Sequence, residues 1–305
     1  MKLGIKVGLK GDSVADLEIT KPDFCEVWFH SGKISEYDEL FTHIKRLRVG
    51  CGLHFWGALA DNTLANLCYP DQSVLKTSRD LIKKTIDAAA KNGCWYVNIH
   101  PGGARLSRVD FEGQNYIPYG PNTTFEQSRL LLAEMTHELA AYAQSRNIPL
   151  YIESVPTVGI GHPWYGIEGR LKPVEMLELP LKYYDLALKI SNVYFTNDLG
   201  HTTANLAGKS RTEMKAFIFK TTTELVNQTK LLHVGYIIPP YNGTDYHGCL
   251  YYDEFKTNAA IPNYEEIKML LSLFKNRPFV GALVEPEVDH PHNFQILKRL
   301  VAELV

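Results

Sequence analysis

Val97-Asn98-Ile99-His100-Pro101-Gly102-Gly103 is a short apolar run that ends on an imidazole and is cut off at once by a proline and two glycines. Such a run, bounded by turn formers, reads as a buried strand with a metal-competent side chain at its C-terminal end. The pattern recurs. The quoted run begins at Trp95, and seven more β-like runs surround it: Leu3–Leu9, Phe24–Phe29, Gly50–Phe55, Ile148–Glu153, Val193–Asp198, Lys230–Gly235 and Phe279–Glu285. Between most of them lie amphipathic stretches, Val74–Lys91, Thr124–Ser145, Arg211–Gln228 and Tyr264–Lys275, and a last one closes the chain at Phe294–Leu304. In the first of these, Leu75, Ile82, Ile86 and Ala89 follow at steps of seven, four and three, which is one helix face. Strands alternating with helices predict parallel βαβ units, and eight of them predict an α/β fold of the (β/α)8 TIM-barrel type, one domain over residues 1–305. A doubly wound open sheet is the alternative.

Composition agrees with that size and class. The chain has 305 residues, 45% hydrophobic and 22% charged, an ordinary globular balance with no disordered tract. No apolar run approaches the roughly 20 residues of a membrane span, and the first residues read as a strand rather than a signal peptide. Five cysteines make an odd number with no Cys-x-x-Cys pair, which predicts reduced thiols in a cytoplasmic protein. A net charge of −2 excludes a global basic field, so any nucleic-acid contact must come from a local patch.

Six of the eight runs finish on, or beside, a metal-competent residue. These are His54, His100, Glu153, Asp198 with His201 just after it, His233 with Asp245 and His247 in the loop beyond, and Glu285. Each alone has a plain reading: Asp-x-x-His caps a helix, and His-Pro-Gly-Gly makes a turn. A barrel converges its strand ends on one axis, so together they predict one site. Four carboxylates and five imidazoles suit Zn2+, with Mn2+ or Fe2+ as alternatives, and burying them without a cation is costly. The connections Gly102–Thr123, Pro156–Lys172 and Tyr236–Ile261 are longer than a minimal barrel needs and follow strands, on the face where loops serve function.

From about Gly50 to Glu285 the chain resembles the xylose-isomerase-like TIM barrels, and within them the endonuclease IV (family 2 AP endonuclease) branch. Asn66-Leu67-Cys68-Tyr69-Pro70, Ser78-Arg79-Asp80 and Asn98-Ile99-His100-Pro101-Gly102 carry the resemblance most densely. It implies nine ligands for three zinc ions: His54 and His100 on the first, Glu153 bridging to a second completed by Asp198, His233 and Glu285, and His201, Asp245 and His247 on the third. Two or three ions are therefore expected. The family's N-terminal Gly-x-His-x-Ser is missing, replaced by Leu3-Gly4-Ile5-Lys6-Val7, and Tyr246 stands where an arginine is usual. Val234-Gly235-Tyr236-Ile237 and Cys249-Leu250-Tyr251-Tyr252 likewise replace the family's downstream motifs. These positions lie near the substrate.

The resemblance implies a hydrolase that cleaves a phosphodiester, with abasic or damaged DNA as partner and Glu153 or Glu285 orienting the attacking water. Arg105 and Arg108 are then candidates for phosphate, Phe55 and Trp56 for stacking, and Tyr246 for reaching substrate. The alternative is a divalent-metal isomerase or epimerase of a sugar or sugar phosphate, for which the loop aromatics Trp164, Tyr165, Tyr236, Tyr241 and Tyr246 would form the pocket. A non-catalytic binding module on the same barrel is the third reading.

Overall fold

The computed structural model describes residues 1–9, 11–164 and 167–304; Tyr165 lies outside them. Among the described residues ten strands follow in chain order: β1 Lys2–Val7, β2 Phe24–His30, β3 Gly50–Trp56, β4 Val97–Ile99, β5 Leu106–Asp110, β6 Asn115–Tyr119, β7 Leu150–Glu153, β8 Val193–Asp198, β9 Thr229–His233 and β10 Gly281–Val284. Eight of them close a parallel barrel in the order β1-β10-β9-β8-β7-β4-β3-β2, while β5 and β6 form a separate antiparallel hairpin in the loop after β4. The helices are α1 Ser13–Thr20, α2 Asp38–Leu47, α3 Gln72–Asn92, α4 Phe125–Gln144, α5 Ile167–Leu171, α6 Leu199–Ala204, α7 Arg211–Glu224, α8 Tyr264–Ser272 and α9 His290–Ala302.

The expected helices form where capping and packing agree. Asp71 opens α3 by accepting from the amides of Ser73 and Val74, and Gly93 closes it with φ at 71°. The face read from the sequence, Leu75, Ile82, Ile86 and Ala89, is buried against the barrel, each large side chain contributing about 1.5–3 kcal/mol. One crossover departs from the pattern. Between β7 and β8 the described residues form only the short α5 and two single turns, because Pro156, Pro163, Pro173 and Pro180 interrupt any longer helix.

Inside the barrel, side chains alternate in and out with period two, which sorts the interior into layers. The lower layer is aromatic: Phe24, Tyr96 and Tyr151 pack with Leu231 and Leu283, and the Tyr96 and Tyr151 rings stack 4.5 Å apart. Glycine makes room for it. A Cβ on Gly52 would lie 2.1 Å from Cζ of Tyr96, and one on Gly4 2.6 Å from Cζ of Phe24. Two residues further along the same strands, the inward positions become Lys6, Glu26, His54, Asn98, Glu153 and His233. The floor is therefore apolar, and the upper half is ionic.

Candidate metal centre

All nine sequence-predicted ligands meet at the C-terminal mouth, in three sets, each with its ligand atoms within 4.8 Å of one another: His54, His100, Glu153; Glu153, Asp198, His233, Glu285, which shares Glu153 with the first; and His201, Asp245, His247. A fourth set, Glu26 with His54 and His233, was not read from the sequence.

The second set is the best formed. Nδ1 of His233 lies 3.2 Å from Glu153 Oε1, 3.2 Å from Glu285 Oε2 and 3.6 Å from Asp198 Oδ2. Its other nitrogen, Nε2, is 2.9 Å from Glu26 Oε2, the carboxylate–imidazole contact that orients a metal-binding histidine. Asn98 Nδ2 donates to Glu153 Oε2 and leaves Oε1 facing the cluster. Asp198 divides its oxygens: Oδ1 accepts from the His201 amide at 2.8 Å and starts α6, while Oδ2 faces His233.

The third set is oriented by backbone. His201 Nδ1 is 2.9 Å from the Ser154 carbonyl, and His247 Nδ1 is 2.8 Å from that of Glu285. Both rings thereby turn Nε2 toward Asp245 Oδ2, at 3.2 and 2.5 Å. In the first set the Nε2 atoms of His54 and His100 are 3.2 Å apart, with Glu153 oxygens 3.7 and 3.5 Å away.

Whether these residues fit a metal is decided by what they leave unsatisfied. Glu153 Oε1, His233 Nδ1 and His201 Nε2 are buried with no hydrogen-bond partner although carboxylates or imidazoles surround them. Buried polar atoms are rarely left so; a cation in the second set would satisfy Glu153 and His233, and one in the third would satisfy His201. Nitrogen and oxygen donors without thiolate suit a divalent transition metal. The residues fit.

The electrostatics show the same mutual dependence. Burial opposes ionisation of Glu153, yet His233, His54 and His100 hold it well below the usual carboxylate range. Glu285 is likewise held at about 2, burial being outweighed by Lys6, His233 and His54. His247 is pushed up to about 9, because Asp245 overrides the burial that would lower it. His54 goes the other way: burial and then Lys6 depress it.

Beside the ligands opens a cavity of about 230 Å3, bordered by His100, His201, Asp245, His247 and Glu285. Its walls include Trp28, Phe55, Trp56, Tyr116, Arg105 and Glu178. Of the five substrate candidates, Phe55, Trp56 and Arg105 line it. Arg108 does not: it pairs with Asp61 at 3.1 Å and lies over the Tyr119 ring. Tyr246 does not either, since its hydroxyl donates to Glu254 and its ring packs under Arg170. Trp28, Lys6, Glu26, Asn98 and Glu178 were missed. For Lys6 and Glu26 a signal existed: a lone charge inside an apolar run, Ile5-Lys6-Val7 and Cys25-Glu26-Val27, in register across β1 and β2.

A closed eight-stranded parallel barrel with ionisable strand ends defines a class, and the sequence agrees with it. The chain belongs to the xylose isomerase-like TIM barrel family, whose model matches residues 22–218. No curated protein matches the sequence. Among solved structures it resembles a D-tagatose 3-epimerase-like protein with a TM-score of 0.68 at 16% identity, over 100% of this chain and 98% of that one. An L-ribulose 3-epimerase matches with a TM-score of 0.60 at 13% identity, covering 99% of this chain and 86% of that one. A Thermus thermophilus protein soaked with ZnCl2 matches with a TM-score of 0.59 at 18% identity, covering 99% of each chain. Identities this low establish the fold alone. Among the described residues no helix is long and apolar enough to cross a membrane, and all five cysteines are free and buried.

Proposed function

We propose that the protein is a divalent-metal isomerase or epimerase of a small sugar or sugar phosphate. The observation that carries this reading is the His233 cluster of three carboxylates beside a small, aromatic-walled cavity. Glu153, Asp198, His233 and Glu285 would hold the ion, which when bound supplies Lewis acidity to a carbonyl group. Glu285 borders the cavity and is placed to take the proton from the carbon next to a sugar carbonyl. Glu285 would give the proton back to the neighbouring carbon as the carbonyl shifts, while Glu153, steadied by Asn98 and fully buried, stays a ligand. Trp28, Phe55 and Trp56 offer faces for the apolar side of a sugar and keep water from the reacting carbon.

DNA is the weaker partner. A phosphodiesterase acting on it must neutralise several phosphates, yet Arg108 is paired with Asp61 and Arg170 with Glu287. Arg105 is the only arginine or lysine among the cavity's described walls. Phosphodiester hydrolysis keeps one observation in its favour, the convergence of all nine ligand residues. The test is a panel of ketoses and their phosphates, D-tagatose, D-psicose and L-ribulose among them, given to protein loaded with Mn2+, Co2+ or Zn2+, with product epimers read by NMR. Turnover of a sugar, insensitive to moderate salt, is expected. Salt-sensitive cleavage of an abasic duplex with no sugar turnover would overturn the reading.

A further inference from the structure

We propose that Lys6 is a resident cation standing where a metal ion would otherwise sit beside His54, so that His54 is not a ligand and the centre holds no more than two ions.

An ammonium group has three hydrogens to donate and nothing to accept with. Lys6 Nζ has three partners at the mouth: Glu26 Oε2 at 2.7 Å, Glu285 Oε1 at 2.9 Å and Nδ1 of His54. Its side chain is only 6% exposed, so water does not compete for those hydrogens. The contact with His54 therefore makes Nδ1 an acceptor, and the ring proton must sit on Nε2. That proton points at Nε2 of His100, 3.2 Å away, which accepts it. A ring nitrogen that carries hydrogen has no lone pair for a metal.

His233, His201 and His247 are set the opposite way. Nε2 of His233 faces the carboxylate of Glu26, and Nδ1 of both His201 and His247 faces a carbonyl. His201 and His247 donate to their carbonyls, His233 sets Nε2 against a carboxylate, and each leaves its second nitrogen free to ligate. His54 instead meets the ammonium of Lys6, and His100 in turn meets the proton of His54. Glu26 Oε2 is also near its Nδ1, at 3.3 Å, but Lys6 is nearer. The positive charge is kept in place by pairing between neighbouring strands: Lys6 and Glu26 are register partners on β1 and β2. Glu285 can serve both roles, because Lys6 takes Oε1 while Oε2 faces His233. What remains for metal is the Glu153–Asp198–His233–Glu285 set and the His201–Asp245–His247 set.

This inference rests on the metal centre and not on the choice of substrate, so metal content tests it without an activity assay. Wild type, Lys6→Met, His54→Gln and His233→Gln are dialysed against Zn2+, desalted and analysed for zinc per chain by mass spectrometry. The expected result is one or two ions in wild type, the same number in His54→Gln, one fewer in His233→Gln and one more in Lys6→Met. Nitrogen-15 NMR should show the His54 ring unmoved by metal while His233 shifts. Three ions in wild type, loss of an ion from His54→Gln, or no gain in folded Lys6→Met would overturn the proposal. If Lys6→Met does not fold, the wild-type count and His54→Gln still decide. No zinc in any protein would remove the metal reading itself, which is a separate failure.

Discussion

The two mouths of this barrel solve the same packing problem with opposite materials. At the N-terminal mouth the interior is filled by rings, Phe24, Tyr96 and Tyr151, seated on strands thinned to glycine at Gly4 and Gly52. At the C-terminal mouth the same strands present Lys6, Glu26, His54, Glu153, His233 and Glu285, held by ion pairs and leaving orphaned atoms. The lower half is apolar packing, with the Tyr96 hydroxyl its one orphaned atom among Phe24, Tyr96 and Tyr151. The upper half is satisfied only when something positive joins it, which is the mark of a site rather than a core. Activity and stability should therefore separate by height along the barrel axis.

The largest effect should come from the upper mouth. Glu285→Gln, measured on whichever ketose the wild type converts, is expected to lower kcat/KM by about a thousandfold. A variant that retained a tenth of the activity would take Glu285 out of the proton-transfer role. Removing the cation is next. Chelation should lower the thermal midpoint, by the equivalent of about 3 kcal/mol if the ion is normally present at a hundredfold excess over its Kd. An unchanged midpoint would mean that the carboxylates and imidazoles balance one another unaided.

The lower mouth should respond in stability and not in metal. Gly52→Ala drives a methyl into Tyr96, and overpacking of this kind costs about 1–3 kcal/mol, read as a lower urea midpoint with unchanged zinc content. A loss of zinc would show that the two halves are not separable. The smallest effect belongs to Glu178, on the cavity wall, whose carboxyl is pushed up by burial to about 7, His100 pulling against it. Because the folded value lies above the ordinary 4.5, its stabilising contribution is full below about pH 4.5 and is lost as pH rises through 7. Glu178→Gln lacks this dependence. Wild type should lose on the order of 1–2 kcal/mol relative to it between pH 5 and 8, less than the full shift because the side chain is partly exposed. A constant difference across that range would place Glu178 in water.

Much of this contrast could be read from the chain. Val193–Asp198 is a strand at the limits expected, and the face of α3 is the one its spacing predicts. That the nine candidate positions would converge was legible because a barrel brings strand ends together whatever their distance in sequence. The hairpin of β5 and β6 was not, since Gly102–Thr123 is rich in glycine and aromatics, and what steadies it is contact with the loop after β3, through Asn62–Leu64, and with Trp56. Lys6 and Glu26 were passed over because each sits inside an apolar run, where alternation hides which face it takes until a neighbouring strand fixes the register. Tyr246 shows the converse: its place in the chain between Asp245 and His247 says nothing of where its ring points. The preference for DNA over sugar followed the ligand count, which carries no information about the cavity wall.

Asp198 has a consequence for anyone who would redesign the ion preference of this centre. One of its oxygens begins a helix and the other looks into the cluster, so the residue is a fastening with two working faces. Its amide counterpart has one oxygen and one NH2. Asp198→Asn must therefore either turn a donor toward the first amides of α6, unseating His201, or turn it toward the ion. A swap that preserves shape cannot preserve both faces, and tuning one cluster will disturb its neighbour through the start of that short helix.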